Sequence, residues 1–377
     1  MRVTVLAAMI GALCGAGAAS CEEAIKIGAV YPMSGPVAYD GQTLLQGARV
    51  AVGEINAAGG IKGRKIELVV EDGACIPAQS VAAAEKLVSS QKVVALIGAF
   101  CSSSTGAVMD VAKRHGVPMV AGISTAPNLT ERGNDYFFRI PATSAMLAKA
   151  FAKPMLKLAG GSKFGFLVVN DDWGRSIIDS YSPALTAEGA SVVAQQIYDT
   201  NDSDLFPYIT NIKRSAPDAV VLAGNTQNAV ALTEQIRQMG LGSKFFGEGS
   251  FAAKTYYKLV GQKGDGIYGL MSYVYSIDNA RNKAFVAKYQ ADYNDLPTTY
   301  SASGYNEVSV VADALSRADI ADPKAIRDAV AQTDMEGLAG RIRFTKAGQG
   351  YGFNVYLTLS KDAQPLVADQ AVISAPN

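Results

Sequence analysis

The sequence predicts an α/β fold of two lobes, each built around a parallel central sheet. Strand-like and helix-like segments alternate along most of the 377 residues, which is typical of parallel sheets with helical crossovers. Single hydrophobic cores stop growing near about 250–300 residues, so one sheet would not hold this many strands. No low-complexity linker separates the two series of segments. We therefore expect two Rossmann-like lobes joined by a hinge of several short crossings.

The individual elements follow from local patterns of apolar residues and turn residues. In the first series, apolar runs of strand length alternate with amphipathic helices, the first of which is stopped by Gly59-Gly60. Its predicted strands cover 25–30, 66–70, 93–99 and 117–121, and its helices cover 41–58, 77–90 and 104–114. After residue 141 the alternation restarts, with strands at 164–169, 191–197, 218–222, 245–246 and 267–274 and helices at 146–158, 175–187, 204–214 and 228–239. Helices at 280–293, 302–317 and 323–331 follow, and the tail from 353 to 373 has the alternation of antiparallel strands.

The assignment of these elements to lobes gives each lobe two stretches of chain. We expect residues 24–141 and 273–345 to form the N-terminal lobe. Residues 142–272 and 346–377 are expected to form the C-terminal lobe.

The N-terminal 20 residues have the features of a secretory signal peptide. Arg2 is followed by an uncharged stretch that ends in small residues, and charges resume at Glu22. A membrane anchor is the alternative, but the apolar run is short and contains three glycines. Cys21 leaves lipid attachment as a second alternative. We expect an exported protein that acts in the periplasm.

Composition excludes several classes of function. Lys+Arg and Asp+Glu both number 34, so the charge balance predicts neither a nucleic-acid partner nor an anionic membrane partner. The one histidine, His115, ends a predicted helix, which argues against a Ser-His-Asp triad. We find no phosphate-binding glycine loop, zinc motif or calcium loop, so we expect no metal and no cofactor. Asp171-Asp172 could bind a cation, but two adjacent carboxylates more often cap a helix.

A run of hydroxyl residues, Ser102 to Thr105, lies between a predicted buried strand and a predicted helix. This position is the carboxyl edge of a parallel sheet, where open α/β folds bind small ligands. A helix start there favours an anion such as a carboxylate. A serine that merely caps the helix is the alternative interpretation.

Cys75 and Cys101 each follow a predicted strand. Neighbouring parallel strands would bring these cysteines together, and an exported protein permits oxidation, so we expect a disulfide between them. A catalytic or metal-binding role is disfavoured because no cluster of cysteine and histidine is present.

Five segments together resemble the leucine/isoleucine/valine-binding branch of type I periplasmic solute-binding proteins of ABC importers. They are the first strand and turn (27–36), the Ile-Asn-Ala-Ala-Gly-Gly-Ile-Lys-Gly segment (55–63), both cysteine loops (72–75 and 101–105) and the Ser-Thr-Ala-Pro-Asn-Leu-Thr loop (124–130). The resemblance spans nearly the whole chain after the signal peptide. It implies a ligand-binding cleft between the lobes and a permease in the membrane as partner.

The resemblance also assigns roles to individual residues. In that family an amino-acid carboxylate is held at the positions of Ser102 and Thr125, and the ammonium group is held by an acidic residue at the position of Glu248. Aromatic walls fall on Trp173 and Tyr300. Further wall or backbone-contact positions fall on Phe100, Cys101, Ile123, Ser124 and Asn225. For Glu248 the alternative is a carboxylate that caps a helix, and for Trp173 it is a place in the core.

These observations predict a monomeric receptor that binds an amino acid, branched-chain or related, and has no enzymatic activity. Trp173 is bulkier than the tyrosine usual in the family, and Asn225 replaces a tyrosine of the leucine binders. An aromatic carboxylate, an amide or a urea-type solute is therefore the alternative ligand. An exported hydrolase and a sensory ectodomain are disfavoured, because we find no nucleophile elbow and no signalling segment.

Overall fold

A computed structural model describes residues 23–375 of the chain. The predicted signal peptide and Cys21 lie outside the described residues. Among the described residues, no helix is long and apolar enough to cross a bilayer. The predicted α/β fold is confirmed, with two lobes that each contain a parallel sheet.

The first lobe is built on a five-stranded parallel sheet with the order β2-β1-β3-β4-β5. Its strands are β1 (Ile25–Tyr31), β2 (Ile66–Asp72), β3 (Ala95–Gly98), β4 (Met119–Ala121) and β5 (Phe137–Arg139). The helices between them are α1 (Ala38–Ala57), α2 (Pro77–Ser89), α3 (Ser102–His115) and the short α4 (Asn128–Glu131). Every residue of β3 is buried, as expected for a central strand covered on both faces.

The second lobe contains five parallel strands in the order β10-β9-β8-β6-β7. They are β6 (Lys163–Val169), β7 (Ser191–Tyr198), β8 (Ala219–Gly224), β9 (Lys244–Gly249) and β10 (Ile267–Met271). The helices are α5 (Ser144–Ala159), α6 (Asp172–Ala187), α7 (Phe206–Arg214), α8 (Thr226–Gln238) and α9 (Lys254–Val260).

The C-terminal third of the chain contributes to both lobes. Helices α10 (Ala280–Tyr293), α11 (Thr299–Arg317) and α12 (Pro323–Ala331) share a hydrophobic core with the first sheet, and α11 packs along α1. Strands β11 (Asp334–Gly337) and β12 (Gly340–Phe344) form a hairpin. Strand β13 (Gly350–Lys361) pairs with β12 through its first residues, and with β10 and β14 (Gln364–Val372) further on. The predicted antiparallel tail is thereby confirmed.

The chain passes between the two main hydrophobic cores three times: between β5 and α5, between β10 and α10, and between β12 and β13. Two of these crossings touch each other through a bridge between Arg139 and Gln349. The buried guanidinium of Arg139 donates to the Gln349 side chain at 2.8 Å and to the hydroxyl of Thr130 at 2.7 Å. These contacts tie the hinge to the loop that precedes it and hold the crossing segments together.

Several details of the sequence prediction need correction. The prediction lacks helices α4 and α9, and helix α1 begins at Ala38, three residues earlier than predicted. Strands β5, β11 and β12 were not predicted, because each has five residues or fewer and lacks a long apolar run. Helix α6 begins at Asp172 and α11 at Thr299, each three residues earlier than predicted. The strands before Cys75 and Cys101 are not neighbours, because β1 lies between β2 and β3.

Candidate functional site

A cavity of about 580 Å³ lies between the two lobes, where the carboxyl ends of both parallel sheets face each other. All nine of the predicted ligand-binding residues line it: Phe100, Ser102, Ile123, Ser124, Thr125, Trp173, Asn225, Glu248 and Tyr300. Volumes of this order are typical of small-molecule sites. The fold therefore brings the predicted residues together at one place.

Ser102 lies at the first position of α3, on the first-lobe wall of the cavity. The capping position belongs to Cys101, whose side chain makes no capping hydrogen bond. The interpretation of Ser102 as a simple helix cap is therefore wrong. Its hydroxyl oxygen instead accepts a hydrogen bond from the backbone N–H of Ala126 at 3.4 Å. This contact joins the helix start to the 123–126 loop on the neighbouring strand β4.

The hydroxyl of Ser124 is used to hold the cavity wall in shape. It donates to the carbonyl oxygen of Phe100 at 2.8 Å, and Thr105 lies 2.6 Å from it. Because the Ser124 proton is directed to Phe100, the Thr105 hydroxyl donates to Ser124. Both loops of the first-lobe wall are thus cross-linked behind the surface that Ile123 and Thr125 present to the cavity.

Glu248 is a buried carboxylate on β9, in the second-lobe wall of the cavity. Its Oε2 accepts from the Tyr181 hydroxyl at 2.8 Å, and its Oε1 accepts from Ser144 at 3.0 Å. Thr125 and the indole N–H of Trp173 contact Oε1 at 3.4 Å. The Glu248 carboxylate caps no helix, so the capping interpretation of Glu248 is wrong.

The electrostatics of Glu248 follow from this environment. Burial raises the pKa of Glu248 above its ordinary value of 4.5, and the four hydrogen bonds oppose that shift. All four donors are neutral groups. A cation that enters the cavity would therefore meet a desolvated carboxylate that its own neighbours do not neutralise.

Trp173 stands on the second residue of α6, whose start is capped by Asp171 through a 2.7 Å hydrogen bond to the N–H of Gly174. The capping role considered for the Asp171-Asp172 pair is confirmed for Asp171. The indole ring covers Gly249, where φ is +74° and an added Cβ would lie 2.6 Å from the ring. Trp173 also packs against both hydrophobic clusters of the second lobe. The indole thus forms a wall of the cavity and at the same time extends the core.

Asn225 and Tyr300 already use part of their hydrogen-bonding groups for contacts within the protein. Asn225 caps α8, and its Oδ1 accepts from the N–H of Asn228 at 3.0 Å, which leaves its NH₂ group to donate to a ligand. The Tyr300 hydroxyl lies 2.9 Å from the hydroxyl of Ser250 in the other lobe. The Tyr300 ring also lies 5.2 Å from that of Phe100, measured between ring centroids. Tyr300 is therefore a wall residue that touches both lobes.

The predicted disulfide between Cys75 and Cys101 is confirmed. Their Cα atoms are 5.5 Å apart, and both residues line the cavity. The carboxyl ends of β2 and β3 meet on the same edge although β1 separates the strands, so the link reaches across one strand. It fixes the start of α3, where Ser102 lies, to the loop that follows β2.

Sequence reasoning missed three buried polar residues next to the site: Ser144, Tyr181 and Asp40. Ser144 and Tyr181 hold the Glu248 carboxylate, and Ser144 also lies 3.1 Å from the hydroxyl of Thr125. Asp40 contacts the other lobe through Thr226. Tyr181 lies two helical turns after Trp173, which is the one sequence signal that could have suggested a shared face.

The remaining chemistry-bearing groups lie elsewhere. His115 ends α3, where its ring lies 2.8 Å from Glu85 on the surface. Within residues 23–375, no cluster of three His, Cys, Asp or Glu side chains is placed to hold a metal ion.

Comparison with known proteins identifies the family. A family model described as periplasmic binding protein matches residues 24–363. The chain therefore belongs to the periplasmic binding protein family.

Two relatives and one solved structure illustrate the similarity. The leucine-, isoleucine-, valine-, threonine- and alanine-binding protein of Pseudomonas aeruginosa is 28% identical, over 93% of this chain and 95% of its own length. The Leu/Ile/Val-binding protein of Escherichia coli is 28% identical, over 89% and 90%. The isoleucine complex of a branched-chain amino acid transporter substrate-binding protein from Streptococcus pneumoniae has a TM-score of 0.85 at 28% identity, over 93% of this chain and 99% of its own.

Proposed function

We propose that this chain is the solute-binding component of an ABC importer, which captures an amino acid in the interlobe cavity and delivers it to a membrane permease. It acts as an exported monomer in the periplasm. The bound ligand is released unchanged, without turnover.

The observation that carries this proposal is the opposite polarity of the two cavity walls. The first-lobe wall offers the hydroxyl group of Ser102 at the start of α3, with Thr125 on the neighbouring loop, a setting that suits a carboxylate. The second-lobe wall offers the buried carboxylate of Glu248, whose hydrogen-bond donors are all neutral, and it suits an ammonium group. An α-amino acid carries both groups on adjacent atoms and can bridge the two walls.

The relatives support the same class of ligand. Two of them are named for binding leucine, isoleucine and valine, and the solved structure contains isoleucine. The apolar rings and side chains of Phe100, Ile123, Trp173 and Tyr300 would surround an apolar side chain.

Delivery requires that the lobes separate and close. We expect residues 24–141 with 273–345, and 142–272 with 346–377, to move as two bodies about the three crossings. A ligand that contacts both walls stabilises the closed state by its differential affinity for that state.

A thermal-shift screen tests the proposal. The exported form, without the signal peptide, is heated in the presence of each common amino acid and of a set of aromatic acids. Ligand that binds only the folded state raises stability by RT ln(1 + [L]/Kd), so about 100-fold excess over Kd adds about 2.7 kcal/mol. A raised Tm with one or a few amino acids supports the proposal, and no shift with any of them contradicts it.

An aromatic carboxylate is the second candidate, and one observation favours it. Three aromatic side chains, Phe100, Trp173 and Tyr300, line the cavity, which would suit a flat ring. Such a ligand lacks the ammonium group and gains nothing from the charge of Glu248. The response of affinity to Glu248→Gln therefore separates an amino-acid ligand from an aromatic carboxylate. It also separates an amino acid from an amide or urea-type solute, because these solutes likewise lack the ammonium group.

A further inference from the structure

Asp40 makes a buried contact between the lobes that lies outside the ligand cavity. It stands in the first turn of α1 in the first lobe and is 1% exposed. Both of its carboxylate oxygens lie within hydrogen-bond distance of the Thr226 hydroxyl, at 2.9 and 2.8 Å. Thr226 is the first residue of α8 in the second lobe, and its backbone N–H also contacts the carboxylate. Neither residue is part of the cavity lining.

The position of Asp40 at the start of α8 has a clear physical basis. The first N–H groups of a helix have no partner within the helix, and the helix dipole favours a negative charge there. Asn225 satisfies the N–H of Asn228, one turn into the helix. Asp40 satisfies the N–H of Thr226, so the first turn of α8 is completed by a residue of the opposite lobe.

The contact spans the boundary between the lobes. Both residues lie at the start of their helices, on lobes that the hinge allows to separate. Burial raises the pKa of Asp40 to about 7, and its contacts with Thr226 oppose this shift. A carboxylate in this setting keeps its hydrogen bonds only while α8 remains against α1. On separation of the lobes, water would replace Thr226 as its partner.

We propose that Asp40 and Thr226 form an interlobe latch, a pair of positioning residues that sets how long the cleft stays closed on its ligand. The latch adds closed-state stability without touching the ligand, and it rests on the proposed binding function. Its loss speeds ligand release and shifts the ligand-free chain toward the open arrangement.

The contacts of Tyr300 with Ser250 and of Thr125 with Glu248 also join the lobes, but these four residues line the cavity. Lys258 and Asp295 form a further ion pair between the lobes at 3.2 Å, with the Lys258 side chain largely exposed. The latch is a buried interlobe contact that can be removed without altering the ligand's surroundings.

The test compares variants of the latch with a matched control on the same helix. Thr226→Val and Asp40→Ala remove the contact, whereas Thr226→Ser and Asp40→Asn retain a hydrogen-bonding group. Thr233→Val is the control, because Thr233 is also a buried threonine of α8 but bonds to Ala229 and Tyr256 within its own lobe. Dissociation of the amino acid found in the thermal-shift screen is followed by stopped-flow measurement. Small-angle X-ray scattering of the ligand-free chain reports the separation of the lobes.

The latch predicts dissociation about ten- to a hundredfold faster in Thr226→Val and Asp40→Ala, with a smaller effect on association. Thr226→Ser restores a rate close to that of the unmodified chain, and Thr233→Val leaves the rate unchanged even though it lowers Tm. The radius of gyration of the ligand-free Asp40→Ala variant exceeds that of the unmodified chain.

Two results would overturn the latch: an unchanged dissociation rate in both disrupting variants, or the same acceleration in Thr233→Val as in Thr226→Val. Failure of the unmodified chain to bind any amino acid would instead contradict the proposed function. In that case the latch is tested by small-angle X-ray scattering alone, and an unchanged radius of gyration in Asp40→Ala rejects the latch.

Discussion

Replacing Glu248 by glutamine tests whether the second-lobe wall binds an ammonium group. The side chain keeps its size, and Tyr181 and Ser144 can still form hydrogen bonds to it. The substitution removes the negative charge, which is buried and contacted by neutral donors. We expect weaker binding of an amino acid because the desolvated ammonium group loses its oppositely charged partner.

The size of the effect can be worked out from this environment. Two unit charges about 4 Å apart interact with about 4 kcal/mol at an effective dielectric constant of about 20. Removal of one partner of a buried, hydrogen-bonded charge pair costs about 2–5 kcal/mol. At about 1.4 kcal/mol per factor of ten, Kd should rise roughly 30-fold to 4,000-fold.

The stability of the ligand-free protein should hold or increase in Glu248→Gln, in contrast to the loss of affinity. The folded-state pKa of Glu248 is raised, so its contribution to stability is fully present below the unfolded pKa and is lost as the pH rises through the folded pKa. Above the unfolded pKa, the buried Glu248 therefore lowers the stability of the ligand-free protein relative to acidic pH. Glu248→Gln removes this loss of stability, and the ligand-free Tm should hold or increase while affinity falls.

Isothermal titration calorimetry and thermal unfolding measure the two effects. Glu307→Gln is the matched control, because Glu307 is also a buried glutamate bonded to a tyrosine, Tyr31, at 2.6 Å, but it lies outside the cavity lining. We expect Kd to stay unchanged in this control. An amino-acid ligand whose Kd is the same in Glu248→Gln as in the unmodified chain would refute the assignment of Glu248.

Three further predictions concern the first lobe. Ser102→Ala should raise Kd roughly ten- to a hundredfold with little change in Tm, since one hydrogen bond to a charged group is lost. The control is Ser104→Ala, on the same helix but outside the cavity lining, which should leave the affinity measured by calorimetry unchanged. Equal effects of the two substitutions would contradict the role of Ser102. Alkylation of the denatured, non-reduced protein should leave Cys75 and Cys101 unmodified, and reduction should lower the free energy of unfolding by about 3–4 kcal/mol for a 26-residue separation; two free thiols would disprove the disulfide. Burial raises the pKa of Glu307 to about 8, so its contribution to stability is lost as pH rises from about 4.5 to about 8, and denaturant titrations should show this loss in the unmodified chain and not in Glu307→Gln.

The sequence was sufficient for the parts of the molecule that local patterns determine. Buried strands such as β3 are continuous apolar runs, and their carboxyl ends locate Ser102 and Thr125 on neighbouring strands. Family resemblance added Glu248 and the aromatic walls, and the structure brings these residues to the same cavity. Both kinds of inference depend on residues close in sequence to a recognisable motif.

Contacts between distant segments could not be predicted in the same way. Ser144 and Tyr181 are 104 and 67 residues from Glu248, and Asp40 is 186 residues from Thr226. No periodicity within one element indicates which group of another element will meet it. The order of strands in the first sheet also depends on contacts between distant segments, so local patterns wrongly predict β2 and β3 as neighbours.

In the proposed function, the cavity recognises both charged groups of an amino acid, one on each wall. Calorimetry with three matched ligands tests it most directly: the amino acid that gives the largest thermal shift, the amine that lacks its carboxylate, and the 2-hydroxy acid that lacks its ammonium group. We expect 1:1 binding of the amino acid and at least about 30-fold weaker binding of each analogue, since each leaves one buried polar wall without its charged partner. Equal affinity for the 2-hydroxy acid and the amino acid would contradict it.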